Sequence, residues 1–360
     1  MKILYDHQIF GLQKFGGISR YFVELMSNLP EDIAFKNSLA ISNNVYLKDA
    51  DQRFAKGMSL PDFRGKYRIA KLINQQLSEF NIKNKKFDIF HPTYYDPYFL
   101  KALKKPYVIT VHDMIHEKFS DMFRPDDPTR EYKKKTVLNA NKIIAISNHT
   151  KYDLLELYDI PENKIEVIHL GHSVNLATAE SLEGLPEKYF LFVGQRKGYK
   201  NFVNFLKAFA SFNKRYPEIK LVCTGKMFDE EEMTLIRSLG LNNEVSCHFV
   251  SDGQLAYLYQ HALCFVYPSL YEGFGIPILE AFAAQCPIAL SDTSCFPEIA
   301  QEGGIYFNPY EIDSMIEAFN KVVSDDLFRK EKIALGKNVL SQYSWQKMAQ
   351  EIAEIYRTVV

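Results

Sequence analysis

Short β-branched and aromatic runs alternate with stretches of helical apolar spacing along the whole chain, the mark of β-α-β units that build a mostly parallel sheet. In the first half the strand-like runs are 2–5, 87–91, 107–112, 142–147 and 165–170. Helical spacing lies between them. One pattern, at 18–29, follows a glycine pair, and another, through Leu154, Leu155 and Leu157, has Asn148 as its candidate cap. From 171 to 187 neither period holds, and His172, Ser173, Asn175, Gly184 and Pro186 read as a linker. The rhythm then restarts, with strands expected at 189–193, 220–224, 245–249, 264–267, 288–290 and 305–307. The last stretch, 344–360, sets Met348, Ile352, Ile355 and Tyr356 on one helical face that could pack on either half.

Two runs of similar length predict an α/β protein of two Rossmann-like doubly wound domains, 1–172 and 188–343, joined by a linker at 173–187. Ligands of such sheets bind beyond the carboxyl ends of the strands, so a central cleft faced by both domains is the expected site. The length agrees, since 360 residues is about twice a usual domain. With 47% hydrophobic and 24% charged residues, the chain is neither disordered nor collagen-like nor a disulfide framework. A formal net charge of -1 gives no global pull toward nucleic acid or anionic lipid. The five cysteines (Cys223, Cys247, Cys264, Cys286 and Cys295) are odd in number and form no C-x-x-C pair, which fits a reducing compartment. Charge appears too early at the N-terminus for a leader's apolar stretch. The longest run without formal charge, 253–271, carries Gln254, Gln260, His261 and Pro268, too polar to span a membrane. A cytoplasmic protein is expected.

A nicotinamide dehydrogenase requires G-x-G-x-x-G after a leading strand, and neither half supplies it. A Walker A loop, a G-x-S-x-G elbow and His/Cys groups at zinc spacing are also missing from the sequence. The one D-x-D, Asp49-Ala50-Asp51, has no buried strand to position it and reads as a solvated turn.

The most informative segment runs from Pro268 to Ala281. A buried strand enters a loop with Gly273 and Gly275, and Pro277 stands where a helix begins. Glycines let backbone N–H groups approach a ligand, and a helix start carries partial positive charge, so the loop suits a phosphate or an array of sugar hydroxyls. Glu272 lies before that helix and Glu280 about one turn inside it, which lets two carboxylates face one ligand. A solvated helix acid and an ordinary loop acid are the equal alternative. The second cluster, 193–201, ends a strand in Gly194 and offers Arg196 and Lys200 before Asn201, a candidate cap. Alone these cations read as solvated; beside the acid-bearing glycine loop they read as ligands for a diphosphate. In the first half, Phe15-Gly16-Gly17 is a glycine turn opening a helix, with or without a ligand. His112 and His91 each end a strand-like run, where a satisfied core histidine is the ordinary reading.

Together these residues resemble the retaining GT-B glycosyltransferases numbered four in the sequence-based classification. The Glu-x7-Glu signature of that family is Glu272 to Glu280. Gly194-Gln195-Arg196 with Lys200-Asn201 is similar to its diphosphate loop, and Phe15-Gly16-Gly17 to its N-terminal glycine loop; 109–113 and 145–148 also match, so the likeness covers nearly the whole chain. The resemblance implies that Arg196 and Lys200 bind the donor diphosphate and Glu280 the ribose hydroxyls. It assigns Glu272, with the backbone of Gly273, Phe274 and Gly275, to the donor sugar. Val250, Ser251 and Leu255 fall near the base, His112 and Gly17 flank the reaction centre, and 344–360 crosses back onto the first domain. No metal or other cofactor is expected beyond the nucleotide-diphosphate sugar itself.

Retention by double displacement needs a carboxylate nucleophile on the opposite sugar face. No such residue is assignable, so the resemblance favours front-face substitution, with a leaving phosphate oxygen taking the acceptor proton. A likeness of 15–22 to bacterial polysaccharide mannosyltransferases points to mannose from GDP-mannose. The acceptor would be a saccharide or a lipid-diphosphate-linked saccharide in polysaccharide or lipopolysaccharide biosynthesis. A UDP-sugar transferase, an epimerase, a phosphorylase and an inactive glycan-binding protein stay open as alternatives. The lack of a pyridoxal-phosphate lysine context weighs against a phosphorylase, and intact Glu272, Glu280, Arg196 and Lys200 against an inactive protein.

Split by half, the charge changes meaning. Residues 1–172 carry 26 basic and 21 acidic side chains, and 173–360 carry 17 and 23. Much of the first excess is Arg64, Lys66, Arg68, Lys71, Lys83, Lys85 and Lys86, around a helical pattern with Ile69, Leu72, Ile73, Leu77 and Phe80 on one face. The ordinary expectation is that this face packs on the domain. The alternative is a domain resting on an anionic membrane or meeting a lipid-diphosphate acceptor.

Overall fold

The computed structural model describes residues 1–61 and 63–360. It divides into two compact units, Met1–Gly171 with Ser344–Val360, and His172–Tyr343.

The first unit holds β1 (Lys2–Tyr5), β2 (Ala34–Asn37), β3 (Ile89–His91), β4 (Val108–Val111), β5 (Lys142–Ala145) and β6 (Ile165–Val167). All pair in parallel, in the orders β2-β1-β3 and β4-β5-β6, and a bridge from Phe90 to Tyr107 joins the two sets. The direction of winding therefore reverses between β1 and β3. The central strands are apolar runs without alternation, as a parallel sheet covered on both faces requires. The pattern missed β2, a four-residue edge strand in which Ala34 and Lys36 face solvent. The helix Asn148–Leu157 is capped by Ser147, whose hydroxyl accepts from Thr150 N at 3.0 Å, and not by Asn148.

The helix Lys66–Lys83 reverses the ordinary expectation. Its buried positions include Asn74, Ser78, Asn81 and Ile82, whereas Leu72 and Phe80 are each 61% exposed. Segment 38–41, which follows β2, explains this. Asn74 Oδ1 accepts from the backbone N–H of both Ala40 and Ile41 at 2.9 Å, its amide donates to Ile41 O at 2.8 Å, and Asn81 donates to Ser38 Oγ at 2.9 Å. Buried backbone groups need partners. Asn74 supplies three of them, Asn81 holds the Ser38 side chain beside it, and the apolar face is left outward.

The helix Trp345–Val359 belongs to this same unit. Ser344 caps it, accepting from Lys347 N at 3.1 Å, and Met348, Ile352, Ile355 and Tyr356 are buried. It packs on the helix Gly17–Ser27.

The second unit holds β7 (Lys188–Phe192), β8 (Ile219–Thr224), β9 (Val245–His248), β10 (Cys264–Tyr267), β11 (Ile288–Ser291) and β12 (Gly304–Phe307). They form one parallel sheet in the order β12-β11-β10-β7-β8-β9, with its reversal between β10 and β7. Its core is rich in phenylalanine: Phe190 and Phe192 of β7 meet Phe205, Phe209 and Phe212 of the helix Phe202–Asn213 and Phe319 of the helix Ile312–Ser324. The two doubly wound sheets expected from the pattern are thus present. Among the described residues, no helix is long and apolar enough to cross a membrane.

Candidate active site

In the second unit the loops after β7 and β10 meet at the reversal of strand order, where neighbouring loops diverge to opposite faces and leave a crevice. Leu270 N donates to Tyr199 O at 2.7 Å and ties the loops together. Across that tie, Lys200 Nζ lies 2.5 Å from Glu272 Oε1, with both side chains largely buried. The rings of Tyr199 and Tyr267 stand 5.1 and 5.9 Å from the same ammonium, close enough for cation–π attraction. Glu272 is fixed through its backbone: its N–H donates to Ser294 Oγ at 3.1 Å, and Ser294 donates back to Glu272 O at 2.6 Å. Burial, helped by the Glu272 carboxylate, pushes the Tyr267 phenol well above its ordinary range, so it stays protonated.

Gly275, at φ +86°, opens the helix Ile276–Ala283, with Pro277 in the first turn. A Cβ there would enter strained backbone and stand 3.0 Å from Ile278 Cδ1. Phe274 turns into the core, edge-on to Tyr343 at 5.9 Å, and so contributes backbone rather than side chain to the loop. Glu280 lies one turn into the helix, buried, and accepts from Tyr259 OH at 3.2 Å.

Arg196 does not join this cluster. Its Nε donates to Glu232 Oε1 at 2.9 Å, and its Nη2 donates to Lys226 O at 2.5 Å and Met227 O at 3.3 Å. Asn201 stands at the helix start, at φ +56°, but its amide donates to Pro309 O at 2.8 Å and caps nothing. Val250 and Leu255, both half-buried, flank the Ser251–Gln254 capping box after β9, two strands out from β7 on the same carboxyl edge. A cation paired with one carboxylate, a second carboxylate one turn into the helix and the positive end of that helix, all on the loop after β10 and its neighbour after β7, suit an anionic ligand that also carries hydroxyl groups.

In the first unit, His112 follows β4 and is buried. Its N–H donates to Tyr95 OH at 3.2 Å, and its Nε2 is buried without a protein partner. Tyr21 and Phe22, one turn into the helix that Gly17 begins, meet its ring edge-on at 5.0 and 6.1 Å. Burial pushes the imidazole down to about 4, so it is neutral at physiological pH. His91 is a core residue: Nδ1 pairs with Tyr356 OH at 2.6 Å and Nε2 with Thr110 Oγ1 at 3.0 Å. Asp51 of the D-x-D pairs on the surface with Arg53 at 2.6 Å.

Sequence reasoning missed Ser294, Tyr267, Tyr95 and Asp6. Asp6 is a fully buried carboxylate that accepts from Thr93 N, Thr93 Oγ1, Gln8 Nε2 and Tyr98 OH at 2.7–3.0 Å. A charged residue directly after a leading apolar strand was the one local signal for it.

Residues 15–176 match the family described as Glycosyltransferase Family 4, and residues 177–342 match Glycosyl transferases group 1. The O-antigen chain mannosyltransferase B of Escherichia coli is 26% identical over 80% of this chain and 78% of its own length. The O-antigen chain mannosyltransferase RfbU of Salmonella typhimurium is 30% identical over 68% and 67%. The structure of Anabaena HepE in complex with UDP and glucose superposes at a TM-score of 0.74, at 18% identity, covering 99% of this chain and all of that one. With both halves matched, the chain belongs to the family 4 type of GT-B glycosyltransferases.

Proposed function

We propose that this glycosyltransferase moves a hexosyl group, mannose from GDP-mannose, onto a saccharide acceptor in polysaccharide assembly, with retention at the anomeric carbon. The observation that carries the reading is the Lys200–Glu272 pair beside the start of the Ile276–Ala283 helix, at the reversal of the second sheet. The mannosyltransferase names of the two bacterial relatives support the sugar.

The donor diphosphate replaces Glu272 as the partner of Lys200, and the released carboxylate turns to a hydroxyl of the donor sugar. Glu280 takes the ribose hydroxyls, and the 250–255 segment the base. Arg196 is engaged by Glu232, so it joins the diphosphate only if that pair opens, and Lys200 carries the main charge. In the transfer step the bond from the anomeric carbon to the β-phosphate oxygen breaks. A bond to the acceptor oxygen forms on the same face, and the acceptor proton passes to the departing phosphate oxygen. Lys200 and the helix amides neutralise the charge that grows on that oxygen, without a metal. His112 and Gly17 are assigned to the acceptor half of the reaction, where a neutral imidazole holds a buried Nε2 that no protein group partners.

The same reading sets the enzyme peripherally on an anionic membrane. Its support is the outward face of the Lys66–Lys83 helix, where exposed Tyr67, Leu72 and Phe80 lie among exposed Arg64, Arg68, Lys83, Lys85 and Lys86. Salt-sensitive sedimentation with phosphatidylglycerol vesicles, weakened by Phe80→Glu, is the expected result; equal sedimentation with phosphatidylcholine would remove this part.

A thermal-shift panel of GDP, UDP, ADP and TDP tests the donor, because a ligand of the folded state raises its stability. GDP should give the largest shift, and GDP-mannose with a saccharide acceptor should release GDP. A larger shift with UDP would replace the base. No shift and no release with any donor would leave an inactive protein.

A further inference from the structure

A cavity of about 370 Å³ opens within the first unit, lined among others by His7, Gln8, Tyr67, Tyr94, Asp96 and Tyr132. Its volume is that of a small-molecule site. Its walls follow directly on β1 and β3, which places it at the reversal of the first sheet, where such folds bind ligands.

The walls are preorganised. Gln8 donates to buried Asp6 at 2.8 Å and clamps the backbone of Asp96, accepting from its N–H at 2.7 Å and donating to its carbonyl at 3.2 Å. Lys71, the cavity's lysine, is paired with Asp96 at 2.9 Å. What remains is a set of aromatic faces. Among the described residues, the hydroxyls of Tyr67, Tyr94 and Tyr132 hydrogen-bond to no protein group, and burial beside Asp113, Asp127 and Glu117 keeps the Tyr94 phenol protonated. A pyranose ring has apolar C–H faces and a rim of hydroxyls, which is the complement of such a lining. The wall is tied to the segment after β4, because its residue Tyr95 accepts from His112 N–H at 3.2 Å.

We propose that this cavity is the subsite for a neutral sugar ring of the acceptor, with half-buried Tyr94 and Tyr132 as its specificity-determining residues. On this proposal the cavity reads the saccharide of the acceptor and not a diphosphate. The assignment of the ring to an acceptor rests on the transferase reading above; the binding of the ring does not.

Ala70→Phe fills the cavity from the Lys66–Lys83 helix, and Tyr132→Leu removes one face and one hydroxyl. Either change should raise the acceptor KM about 10-fold while the donor KM and the GDP-induced thermal shift stay unchanged. Unchanged acceptor KM in both, with that thermal shift intact, overturns the proposal. Farnesyl diphosphate serves as the lipid-diphosphate probe: inhibition of the wild type that Ala70→Phe abolishes also overturns it. Saturation-transfer NMR of the whole chain with methyl α-mannoside and mannobiose needs no turnover. Signals present in the wild type and lost in Ala70→Phe support the subsite, and signals absent from the wild type or equal in both refute it. Cavity-dependent saccharide binding without any nucleotide shift would sink the transferase reading and leave the subsite standing.

Discussion

The two units place their candidate sites at the same topological position and fill it with opposite chemistry. In the second, the reversal between β10 and β7 gathers Lys200, Glu272 and Glu280, a set suited to a charged and hydroxylated ligand. In the first, the reversal between β1 and β3 opens onto tyrosine faces, a closed Lys71–Asp96 pair and a histidine kept neutral by burial. A parallel sheet decides where a ligand sits, and the loops decide which one.

The contrast breaks most readily at Lys200. Lys200→Met should lower kcat/KM by about 10²–10³-fold, because it removes the charge that meets the leaving diphosphate. Kinetics that rank Tyr132→Leu above it for the donor would invert the assignment of the two units. Arg196→Met should act on stability instead, by about 3 kcal/mol in urea unfolding, since it strands Glu232 in a largely buried setting. Loss of the nucleotide shift with unchanged stability would return Arg196 to the ligand role its sequence position suggests. In the first unit, Tyr356→Phe should cost about 2 kcal/mol, because its hydroxyl joins Tyr5 OH at 2.8 Å to His91 Nδ1. A neutral result would mean that water completes this network.

The smallest effect is acid sensitivity weighted toward the first unit. His91 is held at about 3 and His112 at about 4, both mainly by burial, whereas an unfolded histidine titrates near 6.5. Below that value the unfolded chain binds protons that the fold refuses. The stabilisation is complete above pH 6.5 and is lost as pH falls toward 4. At pH 6 the cost is about 1.7 kcal/mol for the two histidines together, readable by hydrogen exchange of each unit. Equal acid loosening of both units would show that these histidines do not govern it.

The order of elements and the charged loop were legible in the sequence because each depends on neighbours along the chain. Strand runs followed by glycine, and the Glu272–Glu280 spacing across a helix start, are local facts. The setting of Arg196 was not legible, for the opposite reason. Its loop position is right for a phosphate, yet Glu232, on the helix Glu230–Ser238, reaches it first, and no local pattern announces a partner 36 residues away. The Lys66–Lys83 helix reads in sequence as apolar face inward, and it turns outward because its polar face serves segment 38–41, where Asn74 satisfies the backbone of Ala40 and Ile41 and Asn81 bonds the Ser38 hydroxyl. Tyr95 and Asp6 carry no motif, and their roles appear only once β1, β3 and β4 stand side by side.

The hydroxyl of Tyr356 has a consequence for how the molecule is made. The first 171 residues leave the ribosome well before the helix that places this group against Tyr5 and His91, and the whole second unit is synthesised in between. Domains ordinarily fold in the order in which they emerge. Here Tyr5 OH and His91 Nδ1 of the earlier unit lack this partner until segment 344–360 docks. A stop codon just before residue 344 would therefore injure the part of the protein translated first.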